Sequence, residues 1–284
     1  MEKIPIRHIY TFQKEPDFSE SFSIRNIKIL LEGDDMVQEL HRHDFFYILV
    51  LEKGMGSHEI DFIPYTIGNH SVFFMRPGQV HQLILKAGSS GYLIQFSTDF
   101  YSPQDNVFNT LRKASSINHS KVKAHRFQKL LLQLDYAFQE YTNKEEHYLE
   151  VIKMNLSAFF IELIRQQGNS PSDVTNLYTQ ERLDAFLQLL ETHLYHHKEV
   201  TYYTEKLNLS TYQLTAITKT TLGKTCSELI NEQILLEAKR YLLATSNQIN
   251  QIADNLGYDD VSYFIRFFKK HTGYSPEVFR QNFK

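Results

Sequence analysis

The C-terminal third of the chain repeats itself, and that repeat limits the possible folds more than any other feature. Tyr203-Thr-Glu-Lys-Leu207 lies over Ile252-Ala-Asp-Asn-Leu256 at an offset of 49 residues. Past a turn the offset becomes 50: Leu214, Ile217, Lys219, Gly223, Thr225 and Leu229 lie over Phe264, Phe267, Lys269, Gly273, Ser275 and Phe279. The extra residue falls in the turn, where insertions cost little. Each copy reads as a short helix, a tight turn, a longer helix and then a further helix. Ser210 with Gln213 and Thr225 with Glu228 form capping boxes. Asp259 or Asp260 offers an N-cap after Gly257-Tyr258, and Ser275-Pro276 supplies N-cap and N1 of the last helix. Small Ala253 permits a close helix crossing. Solenoids built from helix pairs usually need three or more copies. Two copies of this pattern read as two helix-turn-helix units, whose second helices enter the major groove of DNA.

The remainder has a different texture. Between about Arg25 and Phe96 lie short strand-like pieces, RNIKILL, FFYILVL, SHEIDFIPYTI, SVFFM, HQLILK and GYLIQF, punctuated by Gly, Pro, Asn and Asp. That rhythm suits a β-sandwich or barrel. From Lys123 the period becomes helical: Phe127, Leu130, Leu131, Leu134, Phe138 and Tyr141, then Leu149, Ile152, Leu156, Phe159, Phe160 and Leu163. Two such helices, over 123–141 and 146–166, form a lid on the barrel, and their wide apolar stripes also offer a homodimer seam. The small polar stretch Gln166–Asn176 reads as an interdomain linker. The predicted fold class is therefore a two-domain α+β protein: a domain over 1–167, a linker over 168–176 and an all-α domain over 177–284.

Composition bounds the rest. A lone Cys226 cannot form an internal disulfide, which favours a reducing cytoplasm. The longest apolar run, Phe45–Leu51, is far too short to span a bilayer, and the N-terminus lacks a signal-peptide pattern. The net charge of −3 argues at first sight against nucleic acid. From Asn176 onward, however, 12 basic residues meet 12 acidic ones, and Arg266–Lys284 holds five basic residues against Glu277 alone. Affinity for phosphate follows such local patches.

The stretch INQIADNLGYDDVSYFIRFFKKHTGYSPEVFR (Ile249–Arg280), with QILLEAKRYLLATS and LNLSTYQLTAITKTTLGKTCSELI upstream, closely resembles the AraC family of bacterial transcription regulators. The resemblance covers about Leu183–Arg280. It implies seven helices, with two helix-turn-helix units held about one DNA turn apart by a rigid helix. In the second unit Val261, Phe264, Phe267 and Phe268 share the core face, leaving Ser262, Tyr263, Arg266, Lys269 and Lys270 toward DNA. Arginine suits a bidentate contact with guanine, and the two lysines suit phosphates. In the first unit the expected face is Ser210, Thr211, Tyr212, Thr215, Ala216, Thr218 and Lys219. Ala216 stands where the family commonly has Arg, and Thr204 replaces a small Ala at the helix crossing. The first unit is thus expected to read weakly.

HRHDFFYILVLEKGMG (His41–Gly56) followed by MRPGQVHQLIL (Met75–Leu85) resembles the two motifs of the cupin superfamily, whose metal-binding members use His-x-His, a Glu and a later His. His41, His43 and His81 are present, but Tyr47 or a neighbour takes the Glu position. The histidines accordingly read as remnants or polar pocket lining, with no metal and no cofactor expected. The AraC resemblance implies that a small effector binds in the barrel mouth, for which His41, His43, Tyr47, Arg76 and His81 are candidates. Arg76 is the expected anchor if the effector is anionic. His193, His196 and His197 read as a solvated helix end. The function expected is a cytoplasmic, homodimeric, effector-responsive activator rather than an enzyme. Its partners would be an operator in double-stranded DNA and, as the resemblance implies, RNA polymerase, with no membrane partner. The alternatives are a metal-dependent cupin enzyme with a DNA-binding tail and a constitutive regulator without ligand.

Overall fold

The computed structural model describes residues 4–7, 21–102, 106–166 and 177–283. The chain divides into two compact units, with the boundary near Ser170–Pro171. The linker expected over 168–176 lies outside the described residues.

Ten strands of the first unit are β1 (Ile6–Arg7), β2 (Phe22–Asn26), β3 (Met36–His43), β4 (Phe46–Lys53), β5 (Gly56–Ile60), β6 (Ile63–Ile67), β7 (Ser71–Met75), β8 (Val80–Leu85), β9 (Ser90–Phe96) and β10 (His119–Lys121). They form two five-stranded sheets, ordered β1-β3-β8-β5-β6 and β10-β7-β4-β9-β2. Four helices accompany them: α1 (Ile27–Leu31), α2 (Asn106–Ala114), α3 (Ala124–Asn143) and α4 (Tyr148–Gln166). The unbroken apolar run of β4 follows from burial on both faces. Tyr47, Leu49 and Leu51 join Phe73, Leu83 and Leu93 in a core between the sheets. Ile48 and Val50 face outward, where Phe127, Leu130, Leu156 and Phe160 of α3 and α4 cover them.

Two strand assignments need correction. RNIKILL holds only the end of β2 and then turns into α1, because the Asn26 side chain accepts from the backbone N–H groups of Lys28 and Ile29 and caps a helix. Ile27 and Leu31, four residues apart, are its buried face. SHEIDFIPYTI is a hairpin rather than one strand. Asp61 and Phe62 both have positive φ, the geometry of a type I′ turn, which folds β6 back on β5. Pro64 is tolerated because β6 is an edge strand. Helix α2 had no counterpart in the sequence reading.

The second unit contains seven helices among its described residues: α5 (Leu177–His193), α6 (Val200–Leu207), α7 (Thr211–Leu222), α8 (Cys226–Ala244), α9 (Ile249–Asn255), α10 (Val261–Thr272) and α11 (Pro276–Phe283). They surround one core that includes Phe186, Tyr203, Leu214, Ile230, Ile234, Ile252, Phe264 and Phe268. Helix α8 is central and packs against α7, α9 and α11. Its buried Glu237 pairs with Arg240 and accepts from the Tyr195 hydroxyl at 2.9 Å, so the charges are paired and hydrogen-bonded. Arg280 of α11 donates to Leu242 O and Asn247 O, tying the last helix to the end of α8.

Candidate nucleic-acid interface and barrel interior

Each reading helix starts at a side-chain cap. Ser210 and Gln213 form the full reciprocal capping box of α7, as do Thr225 and Glu228 for α8. In α10 the cap is Asp260, whose carboxylate accepts from Ser262 N at 2.7 Å. Gly223 and Gly273 end α7 and α10 in the left-handed conformation. The repeat seen in the sequence is therefore a repeat of helix boundaries.

On α10, Phe264 and Phe268 are buried while Ser262, Tyr263, Arg266, Lys269 and Lys270 are all exposed. The Arg266 side chain is 70% exposed, with Asp260 only at 3.9 Å, a weak surface pairing that leaves it able to reach a ligand. On α7, Ser210, Thr211, Tyr212, Ala216 and Lys219 are exposed, Tyr212 at 83%. Thr218 departs from expectation. It is fully buried, because it lies four residues after core Leu214 and one after Ile217. Its hydroxyl meets Thr215 O at 3.2 Å and Cys226 Sγ at 3.6 Å, so the buried polar group is satisfied within its own unit. Thr215 is half-buried and turns its hydroxyl toward the same sulfur at 3.9 Å. Thr220, exposed on the same helix, was not singled out from the sequence. Thr204 is buried at the crossing with its hydroxyl on Thr201 O, and Ala253 is buried in the second unit.

In the barrel, His41, His43 and His81 converge and are buried. Strand register explains why: His41 of β3 pairs directly with His81 of β8, and His43 is two residues along the same face. A fourth histidine, His58, which no motif singled out, places Nε2 2.8 Å from His81 Nδ1. Burial holds these rings neutral, with His41 pushed down to about 4 and His58 to about 3. Tyr47 is buried beside them, stacked on His43 at 5.2 Å, and its hydroxyl has no partner among the described residues. Burial drives the phenol's pKa up. Arg76 is not part of this cluster. It is exposed on the turn after β7, because Met75 points inward and the next residue points out before Pro77. Two other arginines, Arg7 and Arg25, line a cavity of about 270 Å³ together with Met36, Gln38, Leu93 and Gln95. Arg25 donates to Gln95 Oε1 at 3.2 Å, and Gln38 Oε1 is buried without a partner among the described residues. The signal for Arg25 was alternation along β2, where Phe22 and Ile24 face the helices and Arg25 the interior. Among the described residues the histidines before α6 gather no further ligand, and His197 instead stacks on Tyr202 at 3.6 Å.

Paired capped helices presenting polar faces, in a chain that also carries a β-barrel unit, define a two-domain helix-turn-helix DNA-binding protein. A family model described as AraC-like ligand binding domain matches residues 31–202, and one described as helix-turn-helix domain matches residues 203–282. The chain belongs to the AraC family of transcription regulators. It is 25% identical over 250 residues to the HTH-type transcriptional activator RhaS of Enterobacter sp. (strain 638), covering 85% of this chain and 87% of that protein. Identity to the HTH-type transcriptional activator RhaR of Mannheimia succiniciproducens is 24% over 251 residues, covering 86% and 87%. Among solved structures, ToxT from Vibrio cholerae aligns with a TM-score of 0.41 at 15% identity, over 92% of this chain and 98% of that one. No helix among the described residues is long and apolar enough to cross a membrane.

Proposed function

We propose that this regulator is an effector-responsive transcriptional activator that acts as a homodimer in the cytoplasm. In this reading residues 1–167 sense and dimerise, 168–176 link, and 177–284 bind an operator and present the complex to RNA polymerase. The RhaS and RhaR relatives named above are transcriptional activators rather than enzymes. The observation that carries the reading is the α10 face, where Arg266, Lys269 and Lys270 stand exposed opposite a buried Phe264–Phe268 ridge. Arg266 reads a base, Lys269 and Lys270 meet phosphates, and Ser262 and Tyr263 flank them. On α7 the contacting set is Ser210, Thr211, Tyr212, Thr215, Ala216 and Lys219, without Thr218. It lacks a strong guanine reader, so α10 dominates sequence choice.

The effector seat best supported is the Arg7–Arg25 cavity, whose paired guanidiniums and buried amides suit an anionic or polyhydroxylated small molecule. Effector binding shifts the population of DNA-competent arrangements. Dimerisation is supported by exposed apolar residues on the outer faces of the helical lid, Leu132 at 66% and Met154 at 71%. The test is gel-shift titration on an operator selected from random DNA. Arg266→Ala is expected to weaken binding by about 1–3 kcal/mol and relax one base position, whereas Lys270→Ala flattens the salt dependence by about one phosphate. If both variants bind like the parent, the reading face is misassigned.

A further inference from the structure

Charge in the first unit is unevenly placed. From Asn106 to Leu134 the chain holds six Lys or Arg and no Asp or Glu. The other residues before Asn176 hold 12 basic against 21 acidic, so this stretch opposes the sign of its own surroundings. A surface that serves only solubility intersperses the two signs, because like charges within a Debye length of about 8 Å repel. The fold gathers the excess at one end of the helical lid. Strand β10 ends at Lys121 and α3 opens after Lys123, and between them buried Val122 is tied through its N–H to His70 O at 2.9 Å. Helix α4 returns to the same place: Arg126 Nη1 donates to Arg165 O at 3.4 Å, one residue before α4 ends. Lys121, Lys123 and His125 are exposed, and the Arg165 side chain is 68% exposed. Among the described residues no carboxylate pairs with Lys121 or Lys123, and Glu162 meets Arg165 only at 3.7 Å. Lys121 Nζ donates to Asn69 O, which occupies one of its three N–H donors.

Two sources of negative charge fit such a surface. The far end of the α3–α4 pair is acidic, with Glu140, Glu145, Glu146 and Glu150 against Lys144, so a second copy offers one. The seam over Leu132 and Met154 runs along the middle of the helices, however, whereas Lys121 lies on β10 and Lys123 and Arg165 stand at the lid's end. The other source is the duplex that the second unit binds. Gln166 ends α4 and Leu177 opens α5, eleven residues on, a stretch that spans at most about 40 Å. With the 17 residues of α5 the reach is at most about 65 Å, or about 20 base pairs at roughly 3.4 Å each. The basic end is thus held on a short tether beside DNA whenever the operator is occupied, at high effective concentration.

We propose that Lys121, Lys123 and Arg165 grip phosphates of the double-stranded DNA flanking the operator, with His125 and Arg126 at the edge of the contact. The grip adds affinity and salt dependence but no sequence choice, because every base pair offers the same phosphates. It rests on DNA binding by residues 177–284 and goes beyond it, giving the first unit its own hold on the same duplex.

The test follows the full chain by fluorescence anisotropy across a salt series, on two duplexes built around an operator selected from random DNA. One duplex is just long enough for the two reading helices, and the other adds about 20 base pairs on each side. The variant combines Lys121→Gln, Lys123→Gln and Arg165→Gln. A control removes as many charges elsewhere on the first unit, at exposed Lys28, Lys53 and Lys86, also by Gln. On the short duplex all three proteins should bind alike. On the long one, loss of three phosphate contacts flattens the slope of log affinity against log salt by about 2.7. A four-fold rise in salt should therefore weaken the parent about 40-fold more than the variant, while the control follows the parent. Lys123→Gln alone should flatten the slope by about 0.9, and circular dichroism checks that each variant folds. The proposal is overturned if parent and folded variants share one slope on the long duplex, or if the control loses as much as the variant. It is equally overturned if light scattering shows the variant losing a dimer that the parent keeps, since the patch then serves the second copy. Absence of specific binding to either duplex is a different result, because it removes the DNA reading itself and this contact with it.

Discussion

Gly257 offers a clean measurement of how tightly the second helix-turn-helix unit is seated. It occupies the turn between α9 and α10 with φ of +70°, and its carbonyl accepts from Lys198 Nζ at 2.7 Å. A Cβ built there would stand 1.8 Å from Tyr195 O, part of the segment between α5 and α6. Ordinary carbon–oxygen contacts begin near ~3.3 Å, so the turn and the carbonyl must part by roughly 1.5 Å. Gly273 is the internal control: its φ is +82°, and an added Cβ there meets nothing within 4 Å. Both Gly→Ala changes incur the left-handed penalty of about 1–2 kcal/mol. Only Gly257→Ala adds overpacking against backbone, about 1–3 kcal/mol, which displaces the Lys198 bridge. Gly273→Ala should therefore cost about 1–2 kcal/mol and Gly257→Ala about 2–5 kcal/mol. The chain has no Trp, so urea unfolding is best followed by far-UV circular dichroism, to which the helical unit contributes strongly. Equal losses in the two variants would refute the close-approach argument.

The barrel should be acid-labile. His41, His43, His58 and His81 are held neutral in the fold by burial, while the unfolded chain protonates them near pH 6.5. The unfolded state thus binds more protons below that value, and stability, level above pH 7, falls as pH drops toward 4. Each histidine contributes at most about 1.4 kcal/mol per pH unit there, so four together lose at most about 6 kcal/mol over one pH unit, against a total of about 5–15 kcal/mol. A urea midpoint unchanged between pH 7.5 and 5 would show that the rings are already charged in the fold. At the outer face of α3 and α4, Leu132→Glu with Met154→Glu should convert the proposed dimer to monomer while leaving the cores intact, as judged by light scattering and circular dichroism.

What was legible in the chain was local. The capping boxes at Ser210 and Thr225 need only residues three apart, so both helix starts could be read directly, and the self-alignment then carried the architecture. The barrel histidines at 41, 43 and 81 were visible as residues, but their convergence depends on β3 pairing with β8 in one register. His58 was hidden because SHEIDFIPYTI lacks a glycine turn: Phe62 at positive φ gives no compositional warning of a hairpin. Thr218 misled because a threonine can satisfy its hydroxyl on its own helix and so sit in a core. The arginines of the cavity were missed for the same kind of reason. The inward aim of Arg7 depends on β1 lying parallel to β3, a pairing that leaves no trace in nearby sequence.

Helix α8 runs 19 residues between the two reading units, about 28 Å at 1.5 Å per residue. Its buried ion pair and its contacts at both ends make it stiff, which gives it the properties of a gear shaft. Inserting one residue would advance one reading helix by about 100° relative to the other, and so aim it at the phosphate ridge and not the groove. Letters of the operator can then drift with single substitutions on α7 or α10. The distance and phase between its two boxes cannot, because they are set by the number of residues in a helix that touches no DNA in this reading.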